Sequence, residues 1–229
     1  MPKNLMQEVY EANMALVKLG LVRLTWGNVS AIDRDAGVII IKPSGVEYDV
    51  MKPEDMVVVG MDGQVVSGNY KPSSDTATHI ELYKHFAEIG AVVHTHSTWA
   101  TIMAQIGQPI TAFGTTHADY FSDNIPCTRE MTTDEISCNY EQNTGTMIAE
   151  VMKGINPMDM PAALVKNHGP FTWGADAKKA VENAFVLEEV AKMAYFTQNA
   201  HAQTQKMPAA LLHKHFYRKH GDNAYYGQN

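Results

Sequence analysis

Two histidines two residues apart, His94 and His96, close the apolar run GAVVHTHS from Gly90 to Ser97. In extended chain alternate side chains project to one face, so the two imidazoles can share a target. Nitrogen donors paired in this way suit a divalent ion such as zinc, and a catalytic centre commonly has three protein ligands with one position left open. A third histidine is therefore the residue to find. The run AALVK leads into Asn167-His168-Gly169-Pro170, which puts His168 just past a strand end, where side chains converge on pockets. The chain holds ten histidines, and a hydrogen-bonded turn residue is the other reading of His168.

Around these residues stand groups suited to a polar anionic ligand. Asp75 opens a helix and is either a metal ligand, an acceptor just outside the ligand set, or an ordinary helix-initiating acid. Lys42-Pro43-Ser44-Gly45 offers a cation, a hydroxyl and an accessible amide, and Lys71-Pro72-Ser73-Ser74 offers two hydroxyls at a helix start. Each alone is a turn; together they could hold a phosphate. Gly27 and Asn28, after Trp26, could let a polyol approach the backbone closely, and a tight bend in a sheet explains them equally well.

These residues need a scaffold. Leu5, Val9, Ala12, Leu16 and Leu19 recur at steps of three and four before Gly20, which predicts an opening amphipathic helix. Short β-branched or alternating runs predict strands at Leu21–Thr25, Asn28–Asp33, Val38–Lys42, Met56–Gly60 and Gln64–Ser67. A helix is expected from about Asp75 to Ile89 with a serine near its N-cap, then a strand at Ala91–Thr95 and a helix capped by Ser97 that stops near Gly107. Further expected elements are a strand at Ile110–Phe113, a helix around Gly145–Lys153 and a strand at Ala162–Lys166. A long helix from about Asp176 to Asn199, a last helix at Lys206–His220 and a tail follow. The sum is an α/β protein with helices on both sides of a mixed, mostly antiparallel sheet, expected as one domain over residues 1–229.

Composition narrows the function. A formal net charge of −7 argues against a nucleic-acid partner, because phosphate-backbone recognition normally needs a basic face. Two cysteines, Cys127 and Cys138, are too few for a disulfide framework and match no zinc-ribbon spacing. The first residues are too interrupted by polar groups for a secretory or membrane-spanning segment, so a cytoplasmic location is expected.

Taken together, the strings TWGNVSA, IKPSGV, KPSSDT, VVHTHS, GTTHADYF, IPCTR, HGPF and KHFYRKHGDNAYYGQ resemble L-ribulose-5-phosphate 4-epimerases of the class II aldolase family. HxH and HGPF resemble the wider family, whereas SSDT, THADYF and the YYGQ terminus are similar to the epimerases in particular. The resemblance implies a three-layer αβα domain, a homotetramer with active sites at subunit interfaces, and one divalent metal per subunit, usually zinc. It implies His94, His96 and His168 as metal ligands with Asp75 on or near the metal. It also implies Gly27, Asn28, Ser44, Gly45, Ser73 and Ser74 as substrate and phosphate loops with Lys42 beside them, and Thr115, His215 and Arg218 as further pocket residues. Asp119 and Tyr226 match the two acid/base residues, Tyr226 reaching a neighbouring subunit's pocket. Related aldolases are expected to carry glutamate where this chain has Asp75, and histidine at the position of Trp99; Lys166-Asn167 also departs from the family pattern.

Overall fold

The computed structural model describes residues 3–220 and 224–225. Seven strands form one sheet: β1 (Asn28–Asp33), β2 (Val38–Ile41), β3 (Val57–Gly60), β4 (Val65–Ser67), β5 (Ala91–His94), β6 (Ala162–Val165) and β7 (Gly169–Gly174). Their order is β4-β3-β2-β1-β5-β7-β6, and every ladder is antiparallel. Among the described residues parallel pairing is confined to the single bridge Cys127–Leu164, so the mixed character expected of the sheet reduces to that contact.

The period of two along the strands sorts the core into two layers. Ile39, Ile41, Val57, Val59 and Val92 face one way, onto α2 (Thr76–His85), α3 (Thr98–Ile106), α6 (Tyr140–Val151) and the second half of α7 (Ala177–Ala200). Val29, Ala31, Ile40, Val58 and Val93 face the other, onto α1 (Lys3–Lys18) and the first half of α7. The three-layer αβα arrangement follows directly. Among the described residues no helix is long and apolar enough to cross a membrane, and Cys127 and Cys138 are free thiols.

Several expected elements differ. Leu21–Thr25 forms no strand: Leu21 and Val22 are buried against the α1 layer, and Leu24 turns the chain with a left-handed φ of 52°. The strand expected at Ile110–Phe113 is one bridge, Ile110 to Ile125. The helix expected around Gly145–Lys153 begins earlier, at Tyr140, and two short helices, α4 (Thr115–Ala118) and α5 (Thr133–Ser137), were not anticipated. The last helix, α8 (Ala209–His220), starts after Pro208, whose carbonyl accepts from Leu211 and Leu212, while Met207 N–H bonds Ala112. β7 was hidden because Gly169-Pro170 reads as a turn; proline is tolerated in this inner strand near its first residue.

A candidate metal centre and its cavity

The sheet order makes the centre. β5 and β7 are neighbours with His94 opposite Phe171, so the chain leaving β5 and the turn entering β7 meet at one sheet end. That brings together His94, His96 and His168, each offering one ligand atom within 4.8 Å of the others'. His94 and His96 approach at 3.0 Å between their Nε2 atoms. His94 Nδ1 lies 3.0 Å from the Pro170 carbonyl, which takes the Nδ1 hydrogen and leaves Nε2 with its lone pair. Phe171 stacks on His94 with centroids 4.2 Å apart. His168 sits after Asn167, whose φ of 63° is left-handed, a conformation asparagine tolerates better than other residues with a side chain.

The donor set fits a divalent cation. Burial lowers all three imidazole pKa values, that of His94 to about 3, so near neutral pH they are uncharged and carry lone pairs. Beside them, burial pushes the Asp75 carboxyl up, but His94, His79, the Asn28 hydrogen bond and His168 together hold it below the usual carboxylate range. An ionised carboxylate next to three neutral imidazoles is the charge pattern of a site for a cation.

The histidines line one wall of a cavity of about 430 Å³. Gly27, Asn28, Lys42, Ser44, Gly45, Ser73, Ser74 and Asp75 line the same cavity, so the structure brings together these sequence-predicted residues. The two serine turns meet because the chains are bridged: Ser44 N–H donates to Lys71 O, Ser73 N–H to Lys42 O, and Pro43 pairs with Pro72. Gly45 needs its φ of 67°, which few side chains permit. Gly27, at φ 77°, packs so closely that a Cβ would stand 2.7 Å from Val22 and 2.9 Å from the His94 carbonyl. Lys42 is buried, with Nζ 2.8 Å from Val46 O and 4.7 Å from the Tyr48 ring, and burial lowers its pKa to about 8. The N-cap of α2 is Asp75, with Ser73 and Ser74 just before it as expected, and Ser73 O accepts from Thr76 N–H and Oγ1.

Two cavity residues escaped the sequence reading. Tyr140 and Glu141, at the start of α6, line the cavity, and the Tyr140 hydroxyl stands 3.4 Å from His168 Nδ1. The only available signal was a helix start misplaced by five residues. Trp99, by contrast, turns away: its indole packs on Tyr195 and Phe196, with centroids 5.6 and 5.2 Å off, and it does not line the cavity.

The remaining predicted residues lie apart from this cavity within one chain. Asp119, at the end of α4, accepts from Arg218 Nη2 at 2.9 and 3.0 Å and is 2.9 Å from His215 Nδ1, with Lys219 at 3.7 Å. Burial raises its pKa, but the Arg218 and His215 bonds more than offset this and hold it low. Thr115 opens the same short helix, and its carbonyl accepts from Asp119 N–H. Tyr226 lies outside the described residues.

Residues 7–195 match the Class II Aldolase and Adducin N-terminal domain. The chain belongs to that family. Among solved structures it resembles an L-fuculose 1-phosphate aldolase, with 26% identity, a TM-score of 0.81, and 93% of this chain and 94% of that one covered. It also resembles YgbL of Escherichia coli, described as a putative aldolase/epimerase/decarboxylase, with 25% identity, a TM-score of 0.74, and 93% and 97% covered. An L-fuculose 1-phosphate aldolase from Glaciozyma antarctica shares the fold, at 18% identity and a TM-score of 0.78 over 97% of this chain and 84% of that one.

Proposed function

We propose that this chain is a metal-dependent epimerase that interconverts L-ribulose 5-phosphate and D-xylulose 5-phosphate. The observation that carries the reading is the shared cavity, in which three neutral imidazoles face Lys42 and two serine turns suited to a phosphate. His94, His96 and His168 would hold the ion, proposed as zinc, with Asp75 on or beside it. When bound, the ion supplies Lewis acidity toward the oxygens of the ketose. Lys42, Ser44, Gly45, Ser73 and Ser74 hold the phosphate, and Gly27 and Asn28 admit the polyol.

The substrate's own chemistry restricts the route. The hydrogen on carbon 4 is β to the carbonyl and not acidic, so inversion by simple deprotonation fails. Transient oxidation at carbon 4 would need a bound dinucleotide, and the sequence carries no GxGxxG after a strand; the route proposed breaks and re-forms the bond between carbons 3 and 4. A base takes the carbon 4 hydroxyl proton, the O–H electrons become the aldehyde π bond, and the carbon–carbon pair stays on carbon 3. The glycolaldehyde phosphate half turns about its anchored phosphate, carbon 3 adds to the other face, and a second group returns a proton to the new alkoxide. Asp119 and Tyr226 fill these two roles, exchanging them with direction. Thr115, His215 and Arg218 stand beside Asp119.

Asp119 lies apart from its own chain's metal cavity, which supports sites completed by a neighbouring subunit, within the homotetramer that the resemblance implies. Mixing His96→Asn and Asp119→Asn chains, each inactive alone, tests this: random mixing restores about one quarter of the sites if two subunits share them. No recovery after confirmed subunit exchange refutes sharing.

The second reading is a sugar-phosphate aldolase, which the 26% identity to L-fuculose 1-phosphate aldolase supports. Asp75, shorter than the glutamate expected of the aldolases, supports epimerisation. Incubation of metal-loaded protein with L-ribulose 5-phosphate decides between them: D-xylulose 5-phosphate is expected, and accumulation of free glycolaldehyde phosphate refutes the epimerase reading. Metal binding with no turnover on ketopentose phosphates points instead to a non-catalytic protein.

A further inference from the structure

Two turns line the cavity side by side, and a tyrosine that lines neither of them joins them from behind. The paired residues of β1 and β2 end at Ser30 and Ile41, and beyond them the chains part into the turn of residues 24–27 and the turn of residues 42–45. Tyr48 is 6% exposed, in the core layer under α1, and lies outside the cavity lining. Its hydroxyl donates to Trp26 O at 3.1 Å and to Gly27 O at 2.9 Å. Its ring lies under Lys42, with Nζ 4.7 Å from the centroid. Burial pushes the Tyr48 phenol well above its usual pKa, so the hydroxyl keeps the hydrogen that the two carbonyls share.

Each end of this link is fixed to one end of the ligand site. On one side the Gly27 turn lies on the metal strand: Asn28 pairs with His94, and a Cβ on Gly27 would stand 2.9 Å from the His94 carbonyl and 3.5 Å from Thr95 Cα. Leu24 and Gly27 bracket the turn with left-handed φ of 52° and 77°, and Trp26 N–H bonds Arg23 O at 3.0 Å. A leucine keeps such a φ only where its surroundings over-determine it, and the Tyr48 hydroxyl on the carbonyl two residues later is part of that hold. On the other side Lys42 Nζ reaches Val46 O at 2.8 Å and Pro43 O at 3.2 Å, so the ring that supports the ammonium supports the whole turn. Asn28 Nδ2 reaches Ser73 Oγ at 3.1 Å, a second tie between the two sides, but both residues line the cavity and a ligand competes for them. The Tyr48 link stands behind the wall and is left intact.

We infer that Tyr48 is a positioning residue that sets the distance between the phosphate turns and the metal-binding histidines, and so selects sugar phosphates by the number of carbons between the phosphate and the oxygens that meet the ion. A ligand held at both ends gains from its second contact only when its length matches the span, and a span that varies loses the discrimination. The inference rests on the reading of the serine turns as the phosphate end and of the histidines as the metal end. It does not depend on which reaction follows.

The test uses the full zinc-loaded chain and a series of hydroxamates that carry a phosphate ester at the far end and differ only in the number of methylenes between the two groups. The hydroxamate chelates zinc, the ester takes the phosphate turns, and no turnover is involved. Calorimetry reads the affinity of each length, and of acetohydroxamate and inorganic phosphate alone, with zinc affinity and Tm measured alongside. Wild type is expected to bind one length about tenfold or more tighter than its neighbours. Tyr48→Phe keeps the ring under Lys42 and loses only the donor. It is expected to reduce that preference to about threefold or less, with zinc, acetohydroxamate and inorganic phosphate each within about threefold of wild type. A length preference that Tyr48→Phe leaves at its wild-type value overturns the inference, as does a wild type that binds neighbouring lengths equally well. A loss spread evenly over every probe and following Tm makes Tyr48 purely structural and overturns it too. A wild type that binds no member of the series more tightly than acetohydroxamate overturns it together with the phosphate end, whereas failure to turn over ketopentose phosphates bears only on the proposed reaction.

Discussion

Glu188, midway along α7, holds the start of α3, and its removal should be felt at the metal. Its carboxylate accepts from Trp99 N–H at 2.9 and 3.1 Å and from Ala100 N–H at 2.9 Å. Ser97 occupies the N-cap position but its side chain makes no capping bond, so these free amides of the first turn depend on a residue 89 positions away. Hydrogen bonds to a charged acceptor are worth about 1.5–3 kcal/mol each when broken, and a carboxylate at a helix N-terminus adds about 0.3–1 kcal/mol. With Glu188 partly exposed, the lower ends apply, and Glu188→Ala should cost about 2–4 kcal/mol. At about 2–4 °C per kcal/mol for a chain of this size, the melting temperature should fall by about 4–16 °C. Glu188→Gln, which keeps an acceptor without the charge, should lose about 1 kcal/mol. His96 stands two residues before α3, so zinc affinity should weaken in Glu188→Ala and less in Glu188→Gln. Thermal unfolding of the metal-free proteins and chelator competition measure both effects. A melting temperature for Glu188→Ala within about 1 °C of wild type refutes the argument, because no other capping group for these two amides is in place.

The same reasoning gives further outcomes. Burial draws the Lys42 pKa down to about 8, so its charge is present below that pH and lost above it; KM for a sugar phosphate should stay level below pH 8 and rise above it, and Lys42→Gln should abolish that rise. Asn167→Gly should fold and bind metal as wild type, whereas Asn167→Val should cost about 1–2 kcal/mol in urea unfolding and weaken zinc, because φ at 167 is left-handed immediately before His168. Gly27→Ala should lose roughly 1–3 kcal/mol and metal affinity, since its Cβ would press on Val22 and the His94 carbonyl.

What could be read from the sequence was what depends on local pattern. The alternation in β1, the β-branched runs of β2 and β3 and the three-and-four spacing in α1 placed those elements within a residue or two. His94 and His96 followed from the geometry of an extended chain alone. His168 was a weaker inference because its partnership is made by β7, whose Gly169-Pro170 start imitates a turn. Glu188 was out of reach for a different reason. It carries its meaning only through a contact made by tertiary packing, and on a helix a glutamate looks like any other polar residue. Tyr140 failed by boundary: Asn139 adopts a left-handed φ of 55° at the α6 N-cap, and no periodicity announces a helix there.

The arrangement of Asp119 restricts what it can do as a base. Both carboxylate oxygens accept from Arg218, and Oδ1 also meets His215, so the charged form is favoured and the pKa is held below the usual carboxylate range although burial opposes this. A base must be ionised, and a lowered pKa keeps it so to lower pH while reducing its proton affinity. If Asp119 removes the carbon 4 hydroxyl proton, its own limb in the acid branch of kcat/KM must therefore lie below about pH 4, the ordinary value for aspartate. A limb between pH 6 and 7 would belong to another group. Arg218→Ala removes the strongest bonds to the carboxylate, so Asp119 should become a stronger base with its limb moved up toward about pH 4. Asp119→Asn should remove that limb and cost on the order of a hundredfold to ten-thousandfold in rate while leaving zinc content unchanged. An acid limb that Arg218→Ala leaves in place would mean that the proton goes elsewhere, and the cavity's own Tyr140 and Glu141 would then be the groups to mutate.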